Sequence, residues 1–244
     1  MMLMDQYFEK VQELMETVMK TQREKITNAS SLIYDALKNG GAVHVYDTGH
    51  IINSELIHRA GGLALLKPLR FVFNVDNPVR QRDNIDKPKP KQEGFAKYVL
   101  TRSNVAAGDV LIIGSVSGKS AVVIDLALSA KEMGVKVIVL TSVTYSSSIK
   151  SEHSSGKRLF EVGDIVIDNC APVGDAMLSV EGLDVNICPA SGLSAAFIMW
   201  ALTADLIEKM LKDGIVPSVY KSVNLPDGPE YNKGVNEAYN STGY

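Results

Sequence analysis

Cysteine is scarce in this chain: two residues in 244, Cys170 and Cys188. So few thiols exclude a disulfide-stapled scaffold and suit a reducing compartment. The two are not spaced C-x-x-C, and no two of the four histidines stand four residues apart, so no metal-ligand pattern is present. Positive charge is not in excess either. Against 28 acidic residues stand 25 Lys and Arg, a net charge of −3, which argues against general affinity for nucleic acid. The basic run Lys87-Pro88-Lys89-Pro90-Lys91 is short and broken by proline, and reads as a solvated loop. No apolar run is long enough to span a bilayer, and Asp5 and Glu9 fall where a signal peptide would be apolar. These absences lead us to expect a cytoplasmic protein with no membrane or nucleic-acid partner. The dinucleotide fingerprint G-x-G-x-x-G is missing too, which weakens a Rossmann cofactor site, and we expect no cofactor.

What is present is alternation. Tyr7 to Thr21 and Glu24 to Lys38 read as two amphipathic helices, the second ended by Asn39-Gly40-Gly41. Beyond them the pattern predicts strands over 43–47, 70–75, 110–114, 135–140 and 164–168, and helices over 51–65, 94–102, 119–133 and 192–213. Strands alternating with helices imply an α/β fold: a doubly wound, mostly parallel, five-stranded sheet with helices on both faces. The polar, proline-bearing stretch from Asn77 to Gln92 reads as an active-site lid or as disorder. From Val216 onward helical period is lost, and Pro217, Pro226, Gly228 and Pro229 suggest an extended surface arm. The expected organisation is one structural domain: a helical extension over 1–40, the α/β unit over 41–213 and the arm over 214–244.

The chemistry concentrates in Gly114-Ser115-Val116-Ser117-Gly118-Lys119-Ser120, between the apolar strand 110–113 and the helix that follows. A Gly/Ser loop at a helix N-terminus offers unpaired N–H groups and a favourable dipole to an anion. Ser115, Ser117 and Ser120 add hydroxyls, Lys119 a charge, and Gly118 close approach. A phosphate monoester fits. A nucleotide P-loop is a second reading, with Asp168 as a metal-holding acid. Its first glycine, however, would have to stand at position 113, which is Ile113. A third reading is a tight turn in which a serine merely caps the helix.

Ser115-Val116-Ser117-Gly118-Lys119-Ser120 resembles the phosphosugar signature S-x-S-G-x-[ST] of the SIS (sugar isomerase) family. The first strand and turn, Val43 to His50, the strands 135–141 and 163–169, and Pro189-Ala190-Ser191-Gly192 before the last long helix are similar to that family in order. His153-Ser154-Ser155-Gly156-Lys157-Arg158-Leu159 and the tail with Ser222-Val223-Asn224 and Glu230-Tyr231-Asn232 resemble its UPF0309 branch. The resemblance implies the SIS fold and a small-molecule sugar phosphate as ligand. It also implies a homodimer or higher homo-oligomer, and an isomerase, a lyase or etherase, or a non-catalytic regulator.

In a doubly wound sheet the site lies beyond the carboxyl ends of the strands. There Thr48 and Gly49 face the phosphate loop as candidate sugar contacts, with a plain turn as the alternative. Proton transfer on a sugar needs a base and an acid. Glu55 lies one turn into the helix after Gly49, where phosphoheptose isomerases of the family carry a glutamate. Pairing with His58 or Arg59 is its alternative role. Glu93 starts the next helix within Gln92-Glu93-Gly94, where the glucosamine-6-phosphate synthase isomerase half has a histidine. That departure weakens simple isomerisation and suits elimination, and a favourable charge at a helix start is the alternative. His153, in a polar loop beside hydroxyls, is either a proton-transfer group or exposed. His44, alternating with valines on a strand, reads as structural, and His50 is a weaker candidate than Thr48. Ser191 and Ser194 read as caps of the last helix.

Overall fold

The computed structural model describes residues 2–49, 53–72, 76, 78, 80 and 92–244. Five parallel strands form one sheet: β1 Val43–Asp47, β2 Leu66–Pro68, β3 Val110–Gly114, β4 Lys136–Thr141 and β5 Ile165–Asp168. Their order is β2-β1-β3-β4-β5, with Tyr46 opposite Ile113 and Gly114 opposite Leu140. β3 is buried throughout and β4 all but Lys136, as central strands covered on both faces require.

Side chains alternate between the two faces. Val43, Val45, Val110, Ile112, Ile138, Leu140 and Ile167 pack against the helices α1 (Leu3–Lys38) and α6 (Ser191–Lys212). Leu111, Ile113, Val137 and Val139 pack against α3 (Phe95–Arg102) and α4 (Ala121–Glu132). α1 and α6 are also tied by polar contacts, Ser30 to Asp205 and Tyr34 to Asp213. Short helices α2 (Asn53–Leu56) and α5 (Val143–Ser147) follow β1 and β4. A two-stranded antiparallel hairpin, β6 (Ala176–Leu178) and β7 (Ile187–Pro189), precedes α6.

The amino edge of the sheet is closed by Asp109, which is 5% exposed. Its carboxylate accepts from the N–H groups of Ala42 and Ala106, both at 2.8 Å, and pairs with Nε2 of His44 at 2.9 Å. His44 is therefore structural, as its strand position indicates.

Several sequence expectations are corrected. The two N-terminal helices are one 36-residue helix, because nothing between Gln22 and Glu24 breaks the ladder. The helix expected over 51–65 is described only at Asn53–Leu56. His58 takes φ 58°, and Gly61 and Gly62 continue the turn. The strand placed at 70–75 lies earlier, at Leu66–Pro68, and 70–72 are not strand. Residues 73–75, His50 and most of the 77–92 segment read as a lid lie outside the described residues.

The arm from Val216 is not merely extended. Residues 218–220 pair antiparallel with 62–64, and then α7 runs from Gly228 to Thr242. Pro229 stands in its first turn, where a missing N–H costs nothing, so a residue read as a breaker is a helix start. α6 has the length and apolarity of a membrane span, where the sequence reading finds no such run. Burial of Ala195, Ile198, Met199, Leu202 and Leu206 against α1 and the sheet accounts for that apolarity.

Candidate functional site

The Ser115–Ser120 loop leaves β3 at the carboxyl edge of the sheet and enters α4. Its carbonyl groups are tied outward. Val116 O accepts from Thr141 Oγ1 and from the Ser142 N–H, both at 3.0 Å. Gly118 O accepts from the Leu159 N–H at 2.9 Å, and Lys119 O from the Glu152 N–H at 2.9 Å. With the carbonyls held from one side, the N–H groups gather on the other. Among the described residues no protein group accepts from the N–H of Ser117, Gly118, Lys119 or Ser120. The hydroxyls of Ser115, Ser117 and Ser120 likewise have no protein partner among them. Such a nest of donors at a helix start attracts an anion. Ser120 stands at the N-cap position but makes no cap hydrogen bond, so the reading of this loop as a capped turn fails.

Gly118 is required at its position. It takes φ +56°, and an added Cβ would meet Leu159 Cβ at 3.0 Å and Ser146 Oγ and Thr141 Oγ1 at 3.2 Å. Ser146 is wholly buried beneath it, and its hydroxyl has no partner among the described residues. No local sequence pattern marks Ser146 as part of the loop's floor.

Lys119 does not point into the nest unopposed. Its ammonium pairs with the Glu152 carboxylate at 2.9 Å, an exposed contact that also raises the lysine pKa. Asp168, the metal-holding acid of the nucleotide reading, is engaged otherwise. Its Oδ1 accepts from the Val143 N–H at 3.1 Å and the Cys170 N–H at 2.9 Å.

On the β1 side, the Thr48 N–H donates to Gly114 O at 3.2 Å, which sets the first turn against the phosphate loop, and Thr48 and Gly49 are exposed. The Asp47 carboxylate accepts from the Gly49 and Asn53 N–H groups, both at 3.2 Å, and so fixes the entry to α2. Glu55, on α2, is half-exposed and pairs with Arg59 at 3.2 Å. It lines an open groove with Tyr7, Cys188, Ser191 and Leu193. No contact among the described residues joins it to the phosphate loop.

Glu93 and His153 are brought together. Both Glu93 carboxylate oxygens are held by Ser154, one by its N–H at 2.9 Å and one by its hydroxyl. His153 is the residue before Ser154, and its side chain is 9% exposed. The same 151–159 segment supplies Glu152 to Lys119 and Leu159 to Gly118, so one strap reaches from the phosphate loop to Glu93.

The start of α6 is capped from a distance. Asp175, at φ 71°, accepts from the Ala190 and Ser191 N–H groups and the Ser191 hydroxyl, the last two at 2.8 Å. Ser191 and Ser194 are buried, and Ser194 bonds back to Ala190 O. Asp175 is a residue the sequence reading missed, since its partners lie 15 and 16 positions away. Both cysteines are free and partly buried. Burial, and then the Asp168 carboxylate, push the Cys170 thiol pKa up, so little of it is thiolate.

The description "SIS domain" matches residues 6–142. A UPF0309 protein of Shouchella clausii is 36% identical over 98% of this chain and 97% of its own length. Among solved structures, a phosphoheptose isomerase from Francisella tularensis is 16% identical with a TM-score of 0.51, covering 85% of this chain and all of that one. The Vibrio vulnificus NanR protein complexed with ManNAc-6P is 14% identical with a TM-score of 0.52, covering 98% of this chain and 69% of that one. At such identities the structures speak for a shared fold. The family match and the full-length relative go further: this chain belongs to the SIS-domain family, in its UPF0309 group.

Proposed function

We propose that this protein binds a sugar phosphate at Ser115–Ser120 and moves a proton on it as a sugar-phosphate isomerase. The observation that carries this reading is the nest of four N–H groups and three hydroxyls with no partner among the described residues, with the Glu93 carboxylate strapped to the same loop. The phosphate anchors one end of the sugar. A glutamate removes the proton from the carbon beside the carbonyl, the electron pair moves onto the carbonyl oxygen as an enediolate, the adjacent hydroxyl proton passes to that oxygen, and the glutamate returns its proton to the former carbonyl carbon. Glu93 is the first candidate base, since it is held within the strap, which reverses the order in which the sequence alone ranks Glu55 and Glu93. Glu55 is the second, its pairing with Arg59 being weak and exposed. Thr48 and Gly49 flank the nest and suit contacts with the sugar.

A second reading is elimination. There Glu93 takes the same proton, and the substituent on the next carbon leaves with its electron pair. The carboxylate at this place favours it as much as isomerisation. The test is a thermal-shift panel of sugar phosphates, followed by solvent deuterium incorporation and product analysis. Glu93→Gln should lower turnover about a hundred- to ten-thousandfold and leave binding nearly unchanged. Binding without exchange or product across the panel would mark the protein as a non-catalytic sensor.

We further propose that a second copy of the chain covers one flank. Leu3, Met4, Phe8 and Met19 on α1 and Leu193 and Phe197 on α6 are exposed apolar residues on helices that border the Glu55 groove. Light scattering should give a dimer or larger, and a monomer at micromolar concentration would refute this.

A further inference from the structure

We propose that His153 is a positioning residue, which sets the 151–157 turn so that Ser154 fixes the Glu93 carboxylate. As a proton-transfer group His153 is badly placed. Its side chain is 9% exposed, and both ring nitrogens face protein groups. Nδ1 accepts from the Ser155 N–H at 3.1 Å and faces the Ser155 hydroxyl at 2.8 Å. A nitrogen that accepts from a backbone N–H carries no proton, so in the neutral ring the proton sits on Nε2. Nε2 in turn faces Asp125 Oδ1 at 4.0 Å, just beyond a direct hydrogen bond, so the ring packs beside that carboxylate with its N–H directed at it.

Asp125 also works on the other side of Glu93. Its second oxygen accepts from the Ala96 N–H at 3.1 Å, in the first turn of α3. Ala96 is three residues beyond Glu93, with Gly94 at φ +81° between them. Glycine at that position leaves the Glu93 backbone to be fixed from outside. Two arms do so. Asp125 holds the start of α3, and through the ring of His153 the same carboxylate orients the turn that presents Ser154.

The turn itself is stitched for that purpose. Ser151 Oγ accepts from the His153 N–H at 3.1 Å and donates to Lys157 O at 2.6 Å, and the Gly156 N–H closes onto His153 O at 3.0 Å. The result is a Ser154 whose N–H and hydroxyl point together at one carboxylate. A base placed loosely by an ångström loses much of its rate, so the strap has a direct bearing on turnover.

The kinetic part of this inference rests on the isomerase or lyase reading above, and the structural part does not. The test is therefore double. Backbone amide exchange is followed at Ser154 and Ala96 in the full-length protein, with Glu93→Ala as the control that frees the Ser154 N–H. His153→Ala should speed exchange at Ser154 at least tenfold, while affinity for inorganic phosphate changes less than threefold. His153→Asn keeps an acceptor for the Ser155 N–H and should recover most of the protection, which also covers the case that the alanine variant folds poorly. If a substrate is found, His153→Ala should lower kcat about tenfold with KM unmoved, and His153→Asn should restore part of it. Unchanged Ser154 exchange in both variants would overturn the proposal. So would a loss of kcat in His153→Ala as complete as in Glu93→Gln, since that would make the ring itself the proton carrier. If no sugar phosphate turns over in the wild type, the functional reading fails, and the exchange data still decide the role of His153.

Discussion

Two aspartates facing histidines stand at opposite edges of the sheet, and they are finished to different degrees. At the amino edge, Asp109 has both oxygens filled by the Ala42 and Ala106 N–H groups and by His44 in direct contact at 2.9 Å. At the carboxyl edge, Asp125 accepts one N–H and faces its histidine at 4.0 Å, and in the adjoining loop four N–H groups have no acceptor among the described residues. Buried polar groups are normally satisfied by the protein itself. Where the chain needs only rigidity, it completes the network internally. Where it stops short, the partner is solvent or, on the reading proposed above, the phosphate of a ligand.

The contrast yields graded expectations. Asp109→Ala leaves two part-buried N–H groups and His44 without their acceptor. The cost should be about 3–5 kcal/mol, read as a fall of roughly 10 °C in Tm with phosphate binding per folded molecule intact. A fall of only a degree or two would mean that water replaces the carboxylate and that the amino edge is no more closed than the other. Gly118→Ala should cost about 1–3 kcal/mol of stability through its positive φ and the Leu159 contact, and should abolish the phosphate-induced thermal shift. Retained phosphate binding there would separate the loop's shape from its function.

Ser117→Ala reverses the pattern of Asp109→Ala. Unfolding should change by less than about 0.5 kcal/mol. Affinity for phosphorylated sugars should drop about tenfold or somewhat more, as for one charge-assisted hydrogen bond. Equal weakening of an unphosphorylated sugar would remove the nest from phosphate recognition.

The smallest effect belongs to a third carboxylate, Asp164. Burial pushes its pKa up, but the Val137 N–H at 2.8 Å and Lys131 at 3.0 Å outweigh that and hold it below the usual Asp range. Its contribution is thus complete above the unfolded pKa near 4 and is lost as pH falls through the lower folded value. Asp164→Asn should cost less than about 1 kcal/mol at pH 7, and urea unfolding at a series of pH values should show a flatter acid limb. An unchanged limb would rule Asp164 out of the acid response.

The parts of this design visible in the sequence are those written over short distances. The apolar run Val110–Ile113, the Gly/Ser loop and the start of α4 lie within a dozen residues, and the strand–helix alternation follows from local periodicity. What the sequence hides are partnerships across the chain. Glu93 can be suspected from its place at a helix start, but Ser154 is 61 residues away, and Asp125 looks like any polar residue inside a helix. Asp175 capping α6 and Ser146 beneath Gly118 are equally silent. The fused α1 and the terminal α7 are hidden for a different reason. A polar stretch around Gln22–Glu24 looks like a boundary although every residue there tolerates a helix, and prolines look like breakers although one of them starts α7.

The long pairing of α1 with α6 has a consequence for biogenesis. α1 leaves the ribosome with an amphipathic flank well before α6, the helix that completes its burial. At about 5–20 residues per second, the intervening chain takes on the order of 10–30 seconds to synthesise. During that interval the flank that ends in the core is open to chaperones and to nascent neighbours of the same kind. A sheet whose strands are all parallel adds its own delay, since each pairing waits for a crossover. Yield in cells should therefore respond to translation speed and chaperone supply, more than the finished protein's resistance to heat would suggest.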